Sequence, residues 1–409
     1  MSTDVENFRS DARRWLKATM PPAPDQPGMP GMPGDDAVWP RARVLQRMLW
    51  DGGFAGICFP REYGGLGLTP AHQRAFTEES LGYEMPLVLN LPTFGVCAPT
   101  ILDAGTEEQK RRHLPAVLRG EEILVQFLSE PKGGSDLAGL TTRAERDGDV
   151  WVLNGSKIWS SSAFAGDYAL CLARTDWDAP KHRGLTMFLM PVHAKGVTIQ
   201  RIRQTNGSDE FCQEFFDDVL LPADCVLGEV NGGWAVASQQ LFHERNAMGG
   251  GSPYFSGARP RIGGEAMDLV ELAHRTGQLG DPRVREDLGE AWAMRLVEEQ
   301  LVARIGQAMA SGAMQPAAAS IIRLFKAESI LLQTGTAMLL AGATAVTGGP
   351  GGAPGLGQVS QDFIYQQSNA IAGGSVEMAR NVISERVLGM PREYAADRDV
   401  PFRQVKQGR

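Results

Sequence analysis

Apolar residues along this 409-residue chain keep two different periods in three successive blocks. Through the first 118 positions they recur every three to four residues, the spacing that lays one stripe along a helix. Phe8, Ala12, Trp15 and Leu16 share a face over residues 4–20, and further helices are predicted over 41–52, 70–83, 87–104 and 106–118. Thr106 followed by Glu107 and Glu108 marks a capped start, because acids suit the positive end of a helix. Two stretches interrupt the stripe. PPAPDQPGMPGMPG, 21–34, is too rich in Pro and Gly for helix or central strand and reads as an exposed loop, and FPREYGGLG, 59–67, reads as a turn.

From about 122 to 221 the apolar residues alternate instead. TTRAERDGDVWVLNG, DYALCLART, LTMFLMPV, VTIQRI and EFFDDVLLP read as strands separated by turn residues. Asp147-Gly148-Asp149 between two such runs signals a hairpin. From Trp234 onward helical spacing returns. Residues 287–310 and 317–340 carry long stripes of Ala, Leu, Ile and Met, predicted to be bundle core, and the glycine-rich 347–360 reads as a loop. The blocks predict an α+β fold with a helical domain over 1–121, an antiparallel β-domain over 122–230 and a helical bundle over 231–409.

Composition narrows the function without naming it. Hydrophobic content of 43% and charged content of 22% are ordinary for a globular protein, and a net charge of -8 argues against nucleic acid as a partner. No run is expected to approach the ~18 apolar residues needed to span a bilayer, and the acidic, polar start MSTDVENFRS is not read as a signal peptide. The five cysteines, at 58, 97, 171, 212 and 225, are scattered and form no CxxC, the pattern of reduced thiols in a cytoplasmic protein. No GxGxxG or GxxxxGK occurs. His243-Glu244 would start HExxH, but position 247 is Ala, so no metal site is predicted. Ser129-x-x-Lys132 lacks the companion motifs that would make it a nucleophile pair.

What remains is the stretch QFLSEPKGGSDLAGLTTRAERDGDVWVLNGSKIWSSS, 126–162. It joins a short apolar run to a turn of small polar residues, then a hairpin ending in Trp159 and three serines. Backbone N–H groups and hydroxyls beside one large aromatic face suit a flat, polar heteroaromatic ligand.

These residues resemble the middle domain of the acyl-CoA dehydrogenase family, whose pattern runs Thr-Glu-Pro-x-x-Gly-Ser-Asp and then Asn-Gly-x-Lys-x-Trp-Ile-Thr. Ser129 and Ser161 stand where the family has threonines and keep the hydroxyls. The exit Phe216-Asp217-Asp218-Val219 and the C-terminal IAGGSVEMARNVISERVLGMPRE also match, so the resemblance spans nearly the whole chain. It implies a β-barrel-like middle domain and FAD as cofactor, held by Phe127, Leu128, Ser129, Ser135, Trp159 and Ser161, with Ser375 and Glu377 near its adenosine part. Ser135 and Arg245 would contact substrate. The implied reaction is α,β-dehydrogenation of an acyl-CoA: a base takes the α-proton and the β-hydrogen leaves as hydride. The backbone N–H at Gly373 would hold the thioester carbonyl as it gains enolate character. Electrons would pass to an electron-transfer flavoprotein, and a homotetramer or heterotetramer is expected.

The chain departs from the commonest family pattern in two places. The frequent Glu-Gly-Thr of the C-terminal signature is Gly373-Gly374-Ser375, so that base is missing. A subgroup carries the base on an earlier helix in Leu-x-x-Glu-Arg, and Leu241-Phe242-His243-Glu244-Arg245 matches it, which makes Glu244 the candidate base. The family's Arg-x-x-Phe-Gly and Gln, which hold a neighbouring subunit's flavin, fall on Thr276, Leu279, Gly280 and Asp287, with Arg275 one step away. Cross-subunit contacts therefore look degenerate. The glycine-rich MGGGSPYFSGARPRIGG after Glu244 leaves two readings open, room for a bulky or branched acyl group or a surface insertion. The alternatives are a flavin monooxygenase or oxidase of the same fold, one subunit of a heteromeric dehydrogenase, or a non-enzymatic scaffold.

Overall fold

A computed structural model describes residues 2–23, 36–249, 252–257, 268–347 and 356–405. Most of the Pro-rich 21–34 stretch, much of the glycine-rich 248–264 segment and part of the 347–360 loop lie outside the described residues. Two compact units emerge, one of residues 1–260 with 395–409, the other of 261–394.

The first unit begins with helices α1 (Ser2–Thr19), α2 (Val38–Asp51), α3 (Pro70–Glu79), α4 (Ala98–Ala104) and α5 (Glu107–Leu118). α5 starts where the sequence indicated. The Thr106 hydroxyl accepts from the Gln109 N–H at 3.2 Å while Gln109 Oε1 accepts from the Thr106 N–H at 3.0 Å. The 59–67 turn needs its glycines: a Cβ on Gly65 would sit 2.1 Å from the Phe59 carbonyl oxygen. The predicted helix over 87–104 is broken, since Leu91 is extended and α4 starts only at Ala98. Leu87–Ala104 is in fact apolar enough to pass for a membrane span, with mean hydropathy 1.4, yet 67% of it is buried in the protein interior. That corrects the expectation that no such run exists and explains it as core.

Next comes an eight-stranded sheet: β1 (Leu124–Phe127), β2 (Arg143–Asp147), β3 (Val150–Ser161), β4 (Tyr168–Arg174), β5 (Leu185–Pro191), β6 (Val197–Arg201), β7 (Phe211–Pro222) and β8 (Val226–Leu227). Its order is β6-β7-β3-β2-β4-β5-β8, with β1 beside β4. The β2–β3 turn is the Asp-Gly hairpin, Gly148 taking φ +57°. The sheet stays open rather than closing into a barrel, and it is not wholly antiparallel: β1 and β2 each run parallel to β4. The chain reaches β4 from β1 only after the loop and the β2–β3 hairpin, and such a long crossover permits parallel pairing. β4 is buried on both faces, Leu170 and Leu172 packing toward the helical core and Ala169, Cys171 and Ala173 into the sheet core. Helix α6 (Gly233–Gly249) closes this unit, its Val236 and Ala237 in the same core as β4 and β5.

The second unit holds α7 (Leu269–Arg275), α8 (Pro282–Ala310), α9 (Ala319–Ala341), α10 (Ala343–Thr347), α11 (Leu356–Gln366) and α12 (Val376–Val382). Leu272, Leu288, Leu340 and Val359 form its core. Only part of the α8 stripe is core, because Trp292 is 64% exposed and Val297 and Val302 are also uncovered.

Candidate active site

Four residues on α6 show how Glu244 is placed. Ala237, Gln240, Glu244 and Ala247 repeat at helical spacing, and the flanking Ala237, Gln240 and Ala247 are all buried. That face is fixed from its other side, where His243 Nε2 lies 2.6 Å and Gln239 Nε2 2.7 Å from Asp103 Oδ2 of α4. Glu244 itself is half-buried, and Gln126 of β1 donates from Nε2 to its Oε2 at 3.2 Å. Burial raises the Glu244 pKa above the ordinary carboxylate value; the Gln126 hydrogen bond and the Arg245 charge oppose the rise without cancelling it. A carboxylate held by one neutral amide has lone pairs left to take a proton. Cys97 is buried close enough for the Glu244 charge to help raise its thiol pKa, after burial itself. Gln240, one turn before Glu244, is fully buried with both amide ends unpaired. Such orphaned atoms mark a place that a polar ligand group can satisfy.

The second cluster surrounds the 129–142 loop. Its floor is an ion pair: Lys157 Nζ donates to Glu130 Oε1 at 3.0 Å and to the Leu128 carbonyl at 2.9 Å. Glu130 also accepts from the Thr141 N–H at 2.7 Å and the Thr142 N–H at 2.8 Å. Burial works to raise its pKa, but Lys157 and these donors outweigh it and bring it down to about 2. The Ser129 carbonyl accepts from the Ile158 N–H at 2.9 Å, so Ser129 sits beside the end of β3.

There the strand bulges. Ile158 pairs with Gln213 and Ser160 with Cys212, leaving Trp159 as the extra residue at φ +65°. The bulge turns the indole outward, 55% exposed, with Phe211 edge-on at 6.0 Å. Ser161 is exposed next to it, while Ser160 points inward and donates to Glu214 Oε2 at 2.8 Å. Burial pushes the Glu214 pKa up to about 8. Ser129, Trp159 and Ser161 thus share one edge, with Ser135 exposed on the adjoining loop. Phe127 and Leu128 do not present side chains there, since both are buried in the cores, and only their backbone is available to a ligand.

In the second unit Gly373 and Gly374 take φ of +68° and +91°. Arg323 of α9 grips this turn, donating from Nη2 to the carbonyls of Asn369, Ala372 and Gly374 at 2.5, 2.6 and 3.2 Å. Ser375 caps α12, accepting from the Met378 N–H at 3.3 Å, and Glu377 is exposed in its first turn. Thr276 gives its hydroxyl to the carbonyls of its own helix, and Leu279 packs against the unit's core. A groove of about 660 Å³ in this unit is lined by Asp287, Leu331, Leu339, Val346 and other α8–α11 residues; Glu244, Trp159 and Gly373 are not among them.

Comparison with known proteins settles the family. Residues 2–121, 126–219 and 231–388 match the N-terminal, middle and C-terminal domains of acyl-CoA dehydrogenase. The acyl-CoA dehydrogenase IpdE1 of Mycobacterium tuberculosis is 35% identical over 393 residues, 95% of this chain and 99% of that protein. The chain belongs to the acyl-CoA dehydrogenase family. It is an oxidoreductase fold acting on acyl-CoA. IpdE1 of Mycolicibacterium smegmatis is 33% identical over 402 residues, covering 95% of this chain and 99% of that protein. Among solved structures, the Tcur3481-Tcur3483 steroid ACAD superposes with a TM-score of 0.75 at 30% identity, covering 96% of this chain and 98% of that one. The ChsE4-ChsE5 complex from Mycobacterium tuberculosis gives 0.71 at 25%, covering 95% and 98%.

Within this acyl-CoA dehydrogenase framework, Gln126, Lys157, Gln240 and Arg323 escaped the sequence reading. Gln126 is a lone polar residue inside ILVQFL, and Lys157 falls in register with the buried Trp151 and Leu153. Both were visible as polar residues at inward positions. Gln240 and Arg323 sit on helices whose buried faces the sequence does not separate from their exposed ones.

Proposed function

We propose that this chain binds FAD against Trp159 and the Ser129 and Ser161 hydroxyls and dehydrogenates a bulky, polycyclic or branched acyl-CoA, with Glu244 as the base. The observation that carries the reading is Glu244: a carboxylate on the α6 face, beside β1, held above its ordinary pKa by burial. The edge formed by an outward indole and two hydroxyls fits a flat ring with a polar rim. When bound, FAD supplies the two-electron acceptor for the β-hydrogen. Glu244 removes the α-proton, and Gln126 orients its carboxylate while leaving lone pairs open. Gly373 offers the N–H that orients the thioester carbonyl, in a turn that Arg323 keeps rigid.

The bulky-acyl assignment draws on the steroid ACAD likeness and on the glycine-rich segment after α6. The named two-chain complexes among the structural relatives, the exposed apolar face of α8 and the altered flavin-contact positions at Thr276 and Leu279 support a heterotetramer with a sister chain. An electron-transfer flavoprotein is the proposed acceptor. The test is anaerobic addition of straight-chain and polycyclic acyl-CoAs to FAD-loaded protein, alone and with a candidate sister chain. Bleaching of the flavin band by the polycyclic thioester is the expected result. Bleaching by straight medium chains alone contradicts the substrate class, and in a separate aerobic assay oxygen uptake without thioester would mean an oxidase.

A further inference from the structure

After the second unit the chain returns to the first, and its last described residues cross the β4–β5 connection. The Phe402 N–H donates to the Ala179 carbonyl and the Arg403 N–H to the Trp177 carbonyl, both at 3.0 Å. The Phe402 ring is 1% exposed and lies 3.4 Å under the Arg174 guanidinium. Arg174 is itself fully buried, and its Nη1 has no hydrogen-bond partner among the described residues; beside the charges of Glu130, Asp136 and Asp176, the ring face supports its charge from this side. The other guanidinium nitrogens donate mainly into the 129–142 loop, Nη2 to the Ala138 carbonyl at 2.6 Å and Nε to the Leu140 carbonyl at 3.2 Å, with Nη2 also reaching the Lys181 carbonyl at 3.2 Å. A parallel chain of charges runs beside it. Asp397 accepts from Lys181 Nζ at 2.7 Å, and the same ammonium reaches Asp136, the neighbour of Ser135, at 3.1 Å.

We infer that residues 397–404 form a strap that positions the Ser135 loop for its ligand, acting through Phe402 on Arg174 and through Asp397 on Lys181. The loop is pinned at its start by its own Glu130, which pairs with Lys157 of β3. Its far end is tied to the sheet at Thr142, which bonds Ser156 of β3 and the Arg174 N–H of β4; between these ties Asp136, Ala138 and Leu140 are held by Lys181 and by the Arg174 side chain, the two cations that the strap contacts. Phe402 and Asp397 are therefore positioning residues. This rests on the proposed assignment of Ser135 to the thioester and the cofactor.

The test uses the full-length, FAD-loaded protein and two variants, Phe402→Ala and the milder Asp397→Asn, with Phe402→Tyr as the conservative control. Amide hydrogen exchange over 133–140 is read first, because it needs no substrate. Exchange there should rise several-fold in both variants and stay near wild type in Phe402→Tyr. The acyl-CoA KM should rise roughly tenfold in Phe402→Ala with kcat little changed, as misplacement of a binding loop predicts. Unchanged exchange over 133–140 in both variants overturns the strap. Faster exchange with an unchanged KM overturns the thioester assignment, and the proposal with it, while showing that the strap does hold the loop.

Discussion

Glu130 and Glu244 are two withdrawn carboxylates of the same unit, and their surroundings send them in opposite directions. Glu130 faces an ammonium and two backbone N–H groups, and its pKa falls to about 2. Glu244 faces one amide and an arginine too weakly placed to offset burial, and its pKa rises. The first is a permanent charge that ties a loop to a strand. The second is held above the ordinary carboxylate value by burial and keeps lone pairs free to take a proton, which is what a base requires. Burial alone does not make a carboxylate catalytic; the number of donors aimed at it decides.

The sharpest way to break this contrast is Glu244→Gln. Turnover of an acyl-CoA should fall about 10³-fold, within the range for loss of a general base, with folding unaffected by circular dichroism and melting. A variant that keeps wild-type turnover would place the base elsewhere.

Lys157→Met should do the reverse, acting on stability first. It leaves Glu130 buried without its counter-ion, a loss of roughly 3–5 kcal/mol by denaturant titration. The pH dependence separates the two acids further. Glu130 has a folded pKa of about 2 against an ordinary 4.5, so its stabilisation is present above 4.5 and lost as pH falls toward 2, on the order of 3 kcal/mol in all. Glu244, with a raised folded pKa, opposes folding as pH rises through its ordinary value. Glu130→Gln should therefore flatten the acid limb of the stability curve.

How much of this was readable beforehand depends on the kind of signal. The apolar runs of β4 and β5, the Thr106 cap and the Asp-Gly hairpin are local, and local chemistry formed them. The open edge of the sheet and the parallel pairing of β1 with β4 are set by long-range packing, which periodicity does not encode. Trp159 could be singled out as an aromatic face, but the bulge that turns it outward depends on pairing with β7. Glu244 was legible as a motif, whereas its partner Gln126 lies 118 residues away in sequence.

Trp159→Ala tests the platform beside the Glu130 floor. Because the indole is exposed, stability should change by less than about 0.5 kcal/mol. FAD affinity, measured by fluorescence titration, should drop about tenfold through loss of stacking. The smallest effect is expected from Gln126→Leu. Removing the hydrogen bond that Gln126 gives to Glu244 moves its pKa further up, so the acid limb of the kcat/KM profile should shift to higher pH by less than about one unit. A shift to lower pH would mean that Gln126 does not act on Glu244.

The most direct measurement is proton exchange at the thioester α-carbon in deuterium oxide, under anaerobic conditions, with an acyl-CoA whose β-carbon is replaced by sulfur so that oxidation cannot follow. Wild-type protein should wash deuterium into the α-position, and Glu244→Gln should not. Equal incorporation by the two proteins would contradict the assignment of Glu244 as the base.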